Sequence, residues 1–305
     1  VETLSASAFR RASEFVHASA RLVDRALFAY EFEGGSVEAV WDALGAFANP
    51  DGGFGHAMEP DCRLPLSSCL ATTTAMPYLI QTGAPADHPL VRGAIRYLVE
   101  SYDDCLGGWW IVPPEANEYP RAIWWQYDEE PSRRRVTEGW ANPSASAVAC
   151  LLAYPDLVPP QFLDEVTRAA VTVGEDAKML ADGHCFLCYT EFAEHAPAAA
   201  AAWERLRAVA TQAVATRPEE WSGYGIRPLW AVPTPASPLM DVLGEAVQAH
   251  LDYEIGQQQP DGSWHPFWAW GQYEDEWQAA RVEWQGVLTV KNLRALQAHG
   301  RLAAC

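Results

Sequence analysis

Gln257-Gln258-Gln259-Pro260-Asp261-Gly262-Ser263-Trp264 ends in a loop, Asp261 to Trp264, whose chemistry recurs along the chain. Asp51-Gly52-Gly53-Phe54, Gly107-Gly108-Trp109, Asp182-Gly183-His184-Cys185-Phe186 and Ser222-Gly223-Tyr224-Gly225 also set small or turn-forming residues beside an aromatic one, ahead of an apolar helical stretch. A loop chemistry that returns every about 40 to 75 residues is the mark of an array of helical hairpins, because a single hairpin cannot bury its apolar face alone. The glycines permit a tight turn, a glutamine at a helix end can tie that end to the next backbone, and the aromatic ring wedges between neighbours.

Between these loops the apolar residues fall at helical spacing. Phe15, Leu22, Val23, Leu27 and Phe28 mark a helix from 8 to 30, and Val40, Leu44 and Phe47 mark a second from 37 to 47. Further helices are expected at 68–82, 88–102, 143–154, 160–180, 184–194, 198–215, 238–258 and 283–298, with a short one near 226–231. Asn142-Pro143, His88-Pro89 and Ser237-Pro238 read as helix starts with proline at or near the first position. Strand alternation is almost absent. About a dozen helices of irregular spacing favour a closed α/α toroid, (α/α)6-like, over an open solenoid. No Pro/Gly/Ser linker divides residues 1–305, so a single domain is expected.

Net charge is −19, with 21 Lys and Arg against 40 Asp and Glu, which repels phosphate backbones and argues against nucleic acid as a partner. Arg133, Arg134 and Arg135 form the one basic run, a solvated loop or an anion clamp. Seven cysteines without framework spacing suggest a reducing, cytoplasmic setting, and no apolar run is long enough to give a transmembrane segment. The sequence leaves the oligomeric state open.

The segments 51–55, 106–110 and 257–264 resemble the QW-type repeats of squalene-hopene cyclases and other class II terpene cyclases, the Gln-x-x-x-Asp-Gly-Ser-Trp pattern of Gln257 to Trp264 most closely. Related repeats occur in protein prenyltransferase β subunits, so the resemblance implies the toroid superfamily. Class II activity would need an Asp-x-Asp-Asp run, but Leu66, Ser67, Ser68 and Cys69 stand where it belongs. The zinc set of the prenyltransferases is imitated loosely by Asp61, Cys62 and His184, with the first two adjacent rather than two apart; neither metal nor cofactor is expected.

Three loops hold the residues able to converge at one end of a toroid: 56–63, 110–142 and 264–284. Asp61 is the expected general acid, with Glu59 as the neighbour that holds it protonated and His56 as relay; the competing assignment has Glu59-Pro60-Asp61 capping the next helix and pairing Arg63. Glu191 is a backup acid. Fourteen tryptophans crowd unusually into loops, so Trp110, Trp124, Trp125, Trp268 and Trp270 are expected to wall a substrate pocket, with Arg63, Arg121, Arg227 or the 133–135 run as a local clamp. The expected activity is acid-initiated cyclisation or isomerisation of an apolar or isoprenoid small molecule. A carbohydrate-active toroid and a non-catalytic scaffold are the alternatives.

Overall fold

The computed structural model describes residues 2–303. Among them the α-helices are α1 (Ala6–Ser19), α2 (Leu22–Phe32), α3 (Val37–Leu44), α4 (Cys69–Gln81), α5 (Pro89–Glu100), α6 (Glu129–Glu138), α7 (Ala141–Ala153), α8 (Pro160–Val173), α9 (Ala177–Leu180), α10 (Gly183–His195), α11 (Ala199–Ala213), α12 (Pro228–Ala231), α13 (Met240–Gln257) and α14 (Glu274–Ala298). No strand occurs among the described residues, only isolated bridge pairs. The protein is all-α, with long-range helix packing of the hairpin kind.

The chain packs as two compact units. One takes the segment up to Ala43, Val214–Ala269 and the segment from Glu274 on; here α1 packs on α2 and α14, and α12 on α13. The other takes Leu44–Ala213 with Trp270–Tyr273; here α7 is central, lying against α4, α5, α8 and α10. Small residues let α7 take that place: Ala145, Ser146, Ala147, Ala149 and Cys150 are all buried.

Two of the five aromatic loops share one geometry, and a third, at Trp109, shares with them the bond from the aromatic residue's amide to a helix hydroxyl. In the first, the Gly53 amide donates to Asp51 Oδ1 at 3.0 Å, Asn49 N to Gly53 O at 2.9 Å, and Phe54 N to the Thr72 hydroxyl of α4 at 3.1 Å. In the loop before α14, Ser263 N donates to Asp261 Oδ1 at 2.9 Å, Gln259 N to Ser263 O at 2.9 Å, and Trp264 N to the Thr289 hydroxyl at 3.1 Å. Trp109 N reaches the Ser144 hydroxyl of α7 at 3.4 Å. Gly52 and Gly262 sit at φ +95° and +93°, a backbone region glycine enters without steric cost. The indoles of Trp109 and Trp264 donate backwards, to Leu98 O at 2.7 Å and Glu254 O at 2.9 Å, so each ring ties the preceding helix to the following one.

The other two loops differ. Asp182 caps α10 through the amides of His184 and Cys185, and Phe186 lies inside that helix; Tyr224 is 73% exposed and meets Phe267 at 6.2 Å between ring centroids. The glutamine that ties the last loop is Gln258, donating to Ala8 O at 2.9 Å and Gly262 O at 3.0 Å, while Gln257 is exposed.

Several helix boundaries are corrected. The expected helix from 8 to 30 is two helices, broken at Ala20 and Arg21, both extended. The 160–180 helix breaks after Val173, and α14 starts at Glu274 rather than at 283, which moves Glu276 from the 264–284 loop onto a helix. The arginine run lies on α6, not in a loop: its ten residues include six charged ones, whose low apolar content hid it from periodicity. Asn142 departs from helical geometry at φ −107°, ψ 103°, so regular winding starts at Pro143 as read.

Candidate functional site

In the unit holding Leu44–Ala213 and Trp270–Tyr273, a short antiparallel pairing brings 61–63 against 120–122. Ala122 N donates to Asp61 O at 2.8 Å, Arg63 N to Pro120 O at 2.9 Å, and Cys62 bridges Arg121. The Asp61 side chain, 3% exposed, receives the Trp270 indole N–H on Oδ1 at 2.6 Å. Glu59 is buried too, at 8%, and Gln272 fastens the strip through a 2.8 Å bond from Nε2 to Arg121 O. Trp270 approaches from far along the chain, 209 residues from Asp61.

Both segments that meet here carry left-handed backbone. His56 and Ala57 have φ of +54° and +60°, and Tyr273 has +50°, beside Gly271 at +70°. A non-glycine residue held there costs about 1–3 kcal/mol and persists where surroundings over-determine it, which draws attention to a site. The turn at 56–57 is pinned by Met58 N to Gly55 O at 2.9 Å and by a 2.9 Å contact of His56 Nε2 with Asn49 Oδ1. His56 is exposed and engaged with Asn49.

Arg121 is 6% exposed; its Nη1 donates to Asn117 O at 3.2 Å and Tyr119 O at 3.0 Å, while its Nε has no hydrogen-bond partner among the described residues. The Trp125 indole N–H is likewise buried without a partner. Two buried unmatched donors each cost about 1–3 kcal/mol unless something accepts from them. Trp110 and Trp125 pack on the apolar cluster of Cys62, Leu64, Leu70 and Ile111. Trp110 also donates to Asp103 Oδ2 at 2.9 Å and stands 5.3 Å from the Arg133 guanidinium. Trp124 is half-buried and its carbonyl accepts from Arg135. Arg63 Nη1 reaches Pro60 O at 3.5 Å.

The next helix, α4, is capped by the Ser68 hydroxyl at 3.1 Å from Ala71 N, so Glu59 and Asp61 do not cap it. Burial pushes the Cys62 thiol up to about 12, helped by the Glu59 and Asp61 charges and opposed by a backbone bond to Leu64 and by Arg121; it is a neutral thiol at ordinary pH. Among the described residues no group of three His, Cys, Asp or Glu is placed to hold a metal ion. Glu191 is exposed on α10.

Trp268 belongs to the other unit, in a run of half-buried rings. It meets Phe267 at 4.9 Å, Trp284 at 5.1 Å and Trp230 at 6.4 Å between centroids. Behind Phe267 stands Arg227, 2% exposed, with its guanidinium 4.0 Å from the ring centroid. The sequence reading missed the acid and base in this region, His250 and Glu254. Their i, i+4 spacing on α13 was the available signal, since it puts both on one helical face. Compared with known proteins, the chain matches no protein-family model and no curated protein.

Proposed function

We propose that Asp61 is the general acid of an enzyme that isomerises or cyclises an isoprenoid or polyene in an aromatic-walled pocket, a terpene-cyclase-like lyase or isomerase. The observation that carries this is the buried Asp61 carboxyl, held through Oδ1 by the Trp270 indole at 2.6 Å. The acid form that this proposal requires carries one proton. It passes to an alkene carbon, a C–H bond forms at the expense of the π bond, and the cation is left on the neighbouring carbon. Loss of a different proton to the carboxylate restores Asp61, so the product keeps the substrate's mass. The face of Trp125 contributes about 0.5–2 kcal/mol toward a nearby cation, whereas the Trp110 ring already faces the Arg133 guanidinium at 5.3 Å. Glu59 discourages a second negative charge beside it.

The unmatched Arg121 Nε and Trp125 Nε1 support a substrate with an oxygen acceptor, such as an isoprenoid alcohol. His56 is kept as a relay at the rim, and Arg63 and Trp124 as outer contacts. Trp268 is left out of this reading because it takes part in the aromatic run of the other unit. An (α/α)6-like ring formed as one domain, and a cytoplasmic setting, go with the same proposal; the helical hairpins are what support the ring.

The test is incubation of the protein with linear isoprenoid alcohols, diphosphates and polyenes, alongside Asp61→Asn and Glu59→Gln, with products read by mass spectrometry. A mass-neutral product that falls at least a hundredfold in Asp61→Asn is expected. A product that survives this substitution, or no product from the panel, counts against the assignment.

A further inference from the structure

Arg92 and Arg96 stand one turn apart on α5, and with Pro89 and Gly93 they fall at i, i+3, i+4 and i+7, on one face of that helix. This face is one wall of a cavity of about 590 Å³ inside the unit that holds Leu44–Ala213. The turn from Asn49 to Gly52 makes a second wall, and Asp87 and Leu157 complete the lining. The two walls are fastened to each other. A Cβ on Gly93 would stand 3.1 Å from Gly52 Cα, so the turn lies against bare helix backbone, and Arg96 Nη2 donates to Asp51 O at 3.0 Å. The cavity is therefore held in shape by the fold itself, and a ligand would not have to order it.

The polar groups left open in this lining are few. The Asn49 side chain is engaged with Pro65 O, Ser67 Oγ and His56 Nε2, and the Gly52 amide with Asn49 O. There remain the side chains of Arg92, Arg96 and Asp87. Among the described residues the Arg92 guanidinium makes neither an ion pair nor a hydrogen bond, and Arg96 bonds only the Asp51 carbonyl, although the chain holds 40 Asp and Glu against 21 Lys and Arg. Residues one turn apart on a helix have Cβ atoms about 6 Å from each other, so two guanidinium forks can close on one tetrahedral anion. Two positive charges match a phosphate dianion better than a carboxylate, and a guanidinium fork suits phosphate oxygens. Asp87 repels a second anionic group and accepts from hydroxyls. Pro50, Pro89 and Leu157 give apolar surface to the body of a ligand, and a cavity of this size has room for more than a bare phosphate ion. The net charge of −19 repels an extended polyanion, whereas a single phosphate answers chiefly to the two charges it touches.

We propose that this cavity binds the phosphate monoester of a small hydroxylated molecule, with the phosphate gripped by Arg92 and Arg96 and the hydroxyls turned to Asp87. None of Glu59, Asp61, Arg121, Trp125 and Trp270 lines it, so the site stands whether or not Asp61 catalyses.

Isothermal titration calorimetry at fixed ionic strength, with glucose 6-phosphate, glycerol 3-phosphate, inorganic phosphate and glucose, tests it. One of the two esters should saturate the protein at about 0.1–1 mM, at least fivefold more tightly than inorganic phosphate, and glucose should give no saturation. Affinity for that ester should fall at least tenfold in Arg92→Gln. Arg168→Gln removes the same charge from an exposed position on α8, outside the cavity, and should leave the affinity unchanged. Arg96→Gln also breaks the bond to Asp51 O, so the decisive variant is Arg92→Gln, whose exposed side chain supports nothing in the fold. Absence of saturation by both esters overturns the proposal. So does inorganic phosphate binding as tightly as the better ester, an affinity unchanged in Arg92→Gln, or an equal loss in Arg168→Gln.

Discussion

At the scale of single residues, environment and not residue type separates the acids of this chain. Asp61 was singled out by its neighbours in HAMEPD, and it is buried, but its partner Trp270 lies 209 residues away and no local pattern names it. Glu254 looked like one more acid on an amphipathic helix, yet it carries the clearest electrostatic signature. In the unfolded chain it ionises at its ordinary 4.5 and in the folded protein at about 7, because burial penalises the charge. The folded state therefore binds more protons between these values, and stability is lost as pH rises from 4.5 through 7, by roughly 3 kcal/mol in full. His250, depressed from 6.5 to about 3, acts oppositely, removing stability as pH falls through that window. His250, Arg227 and Asn292 surround the Glu254 carboxyl. In Glu254→Gln the loss on the alkaline side should vanish and the loss on the acid side remain. Urea unfolding from pH 4 to 8 measures this; parallel curves for both proteins would refute the assignment.

At the scale of elements, the repeat was legible because its loops demand particular residues. An ideal Cβ at Gly52 would stand 2.5 Å from Gly93 O, and one at Gly262 would stand 2.3 Å from the Arg11 carbonyl, both at positive φ. Gly107 is also at positive φ, +62°, but a Cβ there meets nothing closer than the Tyr102 hydroxyl at 3.9 Å. Alanine at 52 or 262 should thus cost about 2–5 kcal/mol, clash added to strain, and at 107 only about 1–2 kcal/mol from backbone strain. Denaturant midpoints for the three variants check the order. The loops at 182 and 222 read alike but form differently, since a Gly with an aromatic does not specify the turn without the hydroxyl that receives the aromatic residue's amide. Thr72, Ser144 and Thr289 supply it in the three true repeats. That hydroxyl lies 18 to 35 residues further on, beyond any local window.

At the scale of the whole molecule, charge dominates. With a net −19, self-repulsion opposes the compact state at low salt, where the Debye length is about 30 Å, and is screened at high salt. Raising sodium chloride from 10 to 500 mM should lift Tm by a few degrees, read by calorimetry; a fall would mean that attractive pairs such as the 3.1 Å Arg294–Glu31 bridge outweigh the repulsion. No helix among the described residues is long and apolar enough to cross a membrane. By itself the sequence determined the all-α class, most helix positions and the loops that join them, because apolar spacing, caps and positive-φ glycines act within a few residues. Only the tertiary structure decided which indole meets Asp61, that Arg121 and Trp125 carry unmatched donors, and that the helical face shared by His250 and Glu254 is buried. Desolvation and partner identity depend on segments that are distant in the chain and adjacent only after folding.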